Sequence, residues 1–218
     1  TTNYYNQYYG AAHFAGRDYY GGHYGANNDN HFSLFSANGL DFIAISMEYD
    51  TAPDAPVLAW ADSLLAAHPG RWGLVSVHNL INTGLQASWA SQGSATYDAL
   101  KDNPNLFLMV CGHVAGEGRR SDTYLGRTVH TLMSDYQGRT NGGNGWLRIM
   151  TIYPAEGVMR VKTYSPWLNQ YEADADSSSQ FTLPVNLAPT SSWQLIGTVK
   201  VASGEHATVQ WPGLAAFT

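Results

Sequence analysis

The chain has 218 residues, a formal net charge of −6 and only 13% charged side chains, where soluble domains usually carry roughly 25%. The negative balance argues against a nucleic-acid backbone as the main partner, and no apolar stretch approaches the roughly 20 residues that span a bilayer. Cys111 is the single cysteine, which excludes an internal disulfide, and its apolar setting predicts a packed thiol rather than a reactive one.

Residues 1–31 hold seven tyrosines interleaved with glycines and three histidines, without helical period. They read as a long loop with short extended pieces. Either the loop packs itself with aromatic rings, or it forms a pocket rim, since long loops are often functional. In the second case the run from Tyr20 to Asp29 places His23, Asn28 and Asp29 as polar groups on flexible backbone. Strands are predicted at 32–36 and 40–49, joined by Asn38-Gly39, a strong hairpin signal. Asp54-Ala55-Pro56 starts a helix with Val57, Trp60, Ala61, Leu64 and Leu65 on one face, and His68-Pro69-Gly70 stops it.

A buried strand at 72–77 follows, ending on His78. The strand–helix–strand order implies a parallel crossover. A polar loop and a short helix over about 95–101 lead to Asn103-Pro104 and a second apolar run, 106–111. That run breaks at Gly112, and His113 stands just past the break. Ligands in open α/β sheets sit outside the carboxyl ends of the strands. Two strands each delivering a histidine there could bring two imidazoles to one metal ion. A glycine-spaced loop with Arg119 and Arg120 comes next, then a strand at 128–133 carrying His130. The 141–145 stretch is too glycine-dense for a regular element, and 146–153 and 157–164 read as a pair of strands closing the sheet. Residues 188–192 read as a linker, and 193–201 with 207–211 as one hairpin, too little to bury a core alone.

Cys111-Gly112-His113-Val114 with the following Gly-Glu-Gly-Arg-Arg resembles the last motif, Gly-His-x-His, of calcineurin-like metallophosphoesterases. Val75-Ser76-Val77-His78 resembles their preceding lone-histidine motif, and the strand ending at Asp50 with the helix around Trp60 resembles their upstream strand and helix. Order and spacing match over about 41–147. The likeness is closest to large secreted bacterial members, akin to purple acid phosphatases, whose enzyme domain is followed by β-sandwich modules. It implies an α/β fold with a β-sandwich flanked by helices over 1–187, its N-terminal part absent, and a truncated all-β module of fibronectin or immunoglobulin type over 193–218. It further implies an extracellular or periplasmic bacterial protein that hydrolyses phosphoric mono- or diesters, with a small phosphate ester or an extracellular phosphodiester as substrate.

The resemblance carries His78 and His113 over as ligands of one metal in a pair of divalent ions, Fe, Zn or Mn. Arg119, Arg120, Asn28 and Asp29 become candidates for substrate binding and His23 for protonating the leaving group. For the two arginines, an ion pair with Glu117 or Asp122 is the competing reading. The sequence departs from the pattern in two ways. The earlier motifs, Asp-x-His, Gly-Asp-x-x-Asp and Gly-Asn-His-Asp/Glu, do not occur in it, and Ala115 stands where the second histidine is expected. The segment alone is therefore expected to be inactive, the missing part of the same protein supplying the remaining ligands. The alternatives are a non-catalytic surface or matrix protein that keeps the fold, and a carbohydrate-binding module using the tyrosine-rich stretch.

Overall fold

The computed structural model describes residues 2–173 and 177–187. The linker and hairpin expected beyond 187 lie outside the described residues. The chain opens with two short helices, α1 (Asn3–Tyr9) and α2 (Ala11–Phe14), then strands β1 (Tyr20–His23), β2 (His31–Ala37) and β3 (Leu40–Met47). Next come α3 (Ala55–Ala67), β4 (Trp72–Val77), α4 (Ser91–Leu100) and β5 (Leu106–Cys111). Strands β6 (Gly116–Tyr124) and β7 (Arg127–Asp135) and a left-handed turn, α5 (Thr140–Gly143), lead to β8 (Leu147–Tyr153), β9 (Val158–Ser165), β10 (Gln170–Tyr171) and β11 (Gln180–Pro184).

The fold is mixed α/β. Seven strands form one sheet in the order β1-β2-β3-β4-β5-β7-β6. Neighbours β3–β4, β4–β5 and β5–β7 are parallel, and the outer pairs are antiparallel. Of these parallel strands, β4 and β5 are the near-continuous apolar runs, as expected of strands covered on both faces. On one face, Val57, Ala61 and Leu65 of α3 and Leu100 of α4 pack on Ile43, Ile45, Val75 and Met109. On the other face lies a second, antiparallel sheet of β8, β9, β10 and β11, whose Met159, Val161 and Leu183 bury Phe42, Phe107, Leu108 and Leu132. The predicted strands at 146–153 and 157–164 thus belong to a separate sheet rather than closing the first one.

One polar knot fastens the two sheets. Glu117 of β6 accepts hydrogen bonds from Tyr136 Oη at 2.5 Å, Thr163 Oγ1 at 2.7 Å and Ser179 Oγ at 2.5 Å. Arg148 of β8 pairs with it at 2.7 Å, both side chains being 5% exposed or less. Burial pushes the Glu117 carboxyl up, but the three hydroxyl donors and the Arg148 guanidinium outweigh it and hold the group at about 2. Burial and the bond to Glu117 push the Tyr136 phenol up to about 12. His130 of β7 makes a second fastening: its Nε2 lies 2.8 Å from the Pro184 carbonyl and its Nδ1 2.8 Å from Ser121 Oγ. A carbonyl can only accept, so Nε2 carries the proton and Nδ1 accepts from Ser121.

The amino-terminal stretch is not the loop expected from its composition. Helix α1 forms although none of its residues is buried. It is held by side chains instead: Thr2 Oγ1 and Asn6 Nδ2 donate to Asp29 at 2.8 and 2.6 Å, and Asn28 Nδ2 donates to the Tyr9 carbonyl at 2.8 Å.

Candidate functional site

Three parallel strands end side by side, and each carries an aromatic or imidazole group just past its last paired residue. Tyr49 follows β3, His78 follows β4, and His113 follows β5. His78 Nε2 and His113 Nδ1 are 2.8 Å apart. The phenol ring of Tyr49 stacks on His113 at 5.7 Å and meets His78 edge-on at 5.0 Å. His78 and His113 are both exposed, so the pair faces solvent at the carboxyl edge.

The backbone that presents His113 is strained. Its φ of 72° lies in the left-handed region, which residues other than glycine seldom enter. The Val114 N–H donates to the Gly112 carbonyl at 2.9 Å across it, which makes His113 the centre of the rare γ-turn with positive φ. The Gly112 N–H donates to the His78 carbonyl at 3.1 Å and ties the two strand ends together. Such strain persists where surrounding structure over-determines it, commonly at functional sites.

A 2.8 Å separation serves two purposes. It is an N–H···N hydrogen bond if one ring nitrogen donates and the other accepts. It also suits two ligands of one ion: nitrogens about 2.0–2.1 Å from a metal are about 2.9 Å apart at a right angle and about 3.3 Å apart at the tetrahedral angle. The residues present therefore fit two positions of a divalent ion. The set is incomplete, because no group of three or more His, Cys, Asp or Glu side chains converges among the described residues. Asn79, next to His78, has its side-chain oxygen buried without a hydrogen-bond partner, an acceptor that buried polar groups rarely leave unused.

The other sequence candidates fall elsewhere. His23 ends β1 and so shares the carboxyl edge, since His23, His31, Ser46 and Ser76 are in register across β1 to β4. It lies three strand spacings from β4, about 14 Å at the usual spacing, and its Nδ1 is 3.0 Å from Tyr20 Oη. Asn28 is fully buried and Asp29 is engaged with Thr2 and Asn6, so both anchor α1 rather than face an open cleft.

Arg119 and Arg120 sit within β6 and point to opposite faces, as neighbours on a strand must. Arg119 lies over the Phe181 ring at 4.2 Å. Arg120 forks onto Asp122 through Nε and Nη2, both at 2.6 Å, donates to the Ala87 carbonyl, and lies over Trp89 at 4.1 Å. The ion pair with Asp122 is the competing reading for Arg120; Glu117 pairs with Arg148 instead. Burial raises the Cys111 thiol above its usual range, which keeps it protonated. Tyr49 and Asn79 were missed in the sequence; the available signal was position, since Tyr49 follows a strand end as the two histidines do.

No protein-family model matches the chain. It is 30% identical over 196 residues to the uncharacterized protein YvnB of Bacillus subtilis, covering 85% of this chain but spanning 15% of that protein's length. Among solved structures it resembles GAP50, the anchor in the inner membrane complex of Plasmodium, at 14% identity and a TM-score of 0.45, covering 73% of this chain and 54% of that one. No helix among the described residues is long and apolar enough to cross a membrane.

Proposed function

We propose that the chain is the C-terminal part of a calcineurin-like catalytic domain whose whole protein hydrolyses phosphoric mono- or diesters with divalent metal ions. The observation that carries this reading is the pairing of His78 Nε2 and His113 Nδ1 at 2.8 Å on the ends of neighbouring parallel strands, at the edge where α/β sheets bind ligands. Divalent ions supply Lewis acidity to phosphoryl oxygens and a nucleophile at neutral pH. His78 and His113 would hold one such ion from one side, and the strained turn centred on His113 fixes the direction of the second imidazole. Tyr49 stacks on the His113 ring and meets His78 edge-on, which restricts the rotation of both. The remaining ligands come from outside these residues, and the segment by itself is inactive. Imidazole suits iron and zinc, whereas manganese would draw more on carboxylate ligands from outside these residues, and an extracellular or periplasmic setting goes with this reading.

The test is metal analysis and phosphodiesterase assay on the longer polypeptide that contains residues 1–218, purified without chelators. About two ions per chain and hydrolysis of bis(4-nitrophenyl) phosphate are expected, with His113→Ala losing at least about 100-fold in activity. Metal-free protein with no activity after metal addition would refute the proposal.

A second reading, a non-catalytic surface protein that retains the fold, draws on Ala115 and on the Tyr49 ring packed against both imidazoles. In that case the 2.8 Å contact is a structural hydrogen bond. His78→Asn and His113→Asn would then change stability and leave metal content unaltered.

A further inference from the structure

The second sheet stops short of covering the first. Strand β8 pairs with β9 on one side and has no strand on the other among the described residues. Its Leu147, Ile149 and Met150 are 42, 38 and 38% exposed. A largely apolar edge seven residues long is a feature that soluble proteins normally blunt with charge, proline or a covering element; Arg148 is its one charged residue, and that side chain is turned inward onto Glu117.

Beneath this edge runs an open groove of about 310 Å³ between the sheets, with Val110 and Leu132 of the large sheet as its floor and Trp146 and Met150 as its wall. Farther along the same floor Val110 and Leu74 are only half-buried, and Phe35 is 43% exposed against Phe42. Sheets pack about 10 Å apart and strands about 4.8 Å, so one strand added to β8 fills the groove and covers Val110.

We infer that β8 is a docking edge for a further β-strand of the same longer polypeptide, one that runs antiparallel to β8 and lays alternate apolar side chains on Val110 and Leu74. This inference stands on packing and is independent of the metal reading. Three observations select the occupant. Every pairing in the small sheet is antiparallel. The relative that shares this sequence is several times longer, the chain spanning 15% of it. A second copy fits poorly, because the edge is recessed over the large sheet and an incoming β8 would bring its own seven-stranded sheet into the same layer.

The direction of the added strand follows from β8. Trp146, just before β8, lines a cleft with Gly112 and Asp135, so β8 starts at the carboxyl edge of the large sheet. Gly157, after its far end, lies with Trp72 and Leu106 at the amino edge. An antiparallel partner therefore finishes beside Gly112, next to the histidine pair.

Hydrogen exchange read by mass spectrometry on the 218-residue chain and on the longer polypeptide, each with its mass in solution measured, tests this. Alternate amides over Leu147–Tyr153 are expected to exchange at least about 100-fold more slowly in the longer polypeptide, with both proteins monomeric. In the longer polypeptide, Ile149→Lys with Met150→Lys is expected to abolish that protection while the amides of β5 keep theirs. Equal exchange in the two proteins overturns the inference. So does protection in the short chain that grows with concentration, since a second copy would then be the occupant.

Discussion

Glu117 and His130 set how the molecule responds to acid. The Glu117 carboxyl titrates at about 2 in the fold against an ordinary 4.5, so its contribution is full above pH 4.5 and is lost as pH falls towards 2. The gap corresponds to about 3 kcal/mol. Burial pushes the His130 imidazole below its ordinary value of 6.5. Its contribution is full above pH 6.5 and declines as pH falls and the unfolded chain takes up the proton. Urea unfolding followed from pH 7 to pH 2.5 should therefore show stability falling in the acid range, and Glu117→Gln should flatten the limb below pH 4.5. A wild-type curve level from pH 4.5 to 2.5 would contradict the knot. Nitrogen-detected NMR should also find that the His130 ring takes up its second proton at lower pH than a free imidazole and that the neutral ring carries its proton on Nε2; a neutral ring protonated on Nδ1 would contradict the Pro184 contact.

At the scale of elements, the parallel core was legible and the margins were not. The hairpin at Asn38-Gly39, helix α3 and strands β4 and β5 were readable because uninterrupted apolar runs and turn residues determine them locally. Two misreadings have physical causes. Strand β6 reads as a loop because its sequence, GEGRRSDTY, carries almost no apolar residues; its side chains are satisfied by ion pairs and rings instead, Glu117 with Arg148 and Arg120 with Asp122 and Trp89. Helix α4 begins at Ser91, four residues before the predicted start, because Gly93 lets the helix approach the loop after His78. A Cβ on Gly93 would fall 1.8 Å from the Leu80 carbonyl oxygen. Gly93→Ala should accordingly cost about 1–3 kcal/mol, measured by chemical denaturation, although alanine favours helix by about 1 kcal/mol. A stabilised variant would show that this approach is not tight.

For the whole molecule, the histidine pair was legible because each residue follows an apolar run, and the parallel order of β4 and β5 brings them together. The arginines, Asn28 and Asp29 could not be placed from sequence. Their partners lie 2 to 62 residues away, Arg120 to Asp122 at one extreme and Arg119 to Phe181 at the other, and depend on how β6 and α1 pack. The central claim is that this edge is built to hold a metal ion. The measurement that tests it most directly is a zinc titration of the 218-residue chain, followed by nitrogen-detected NMR of the histidine rings. The account predicts that His78 Nε2 and His113 Nδ1 shift together and ahead of the other ring nitrogens, and that His78→Ala removes the response of His113. If neither nitrogen responds, or each responds independently of the other, the pair is a structural hydrogen bond and the phosphoesterase reading loses its support.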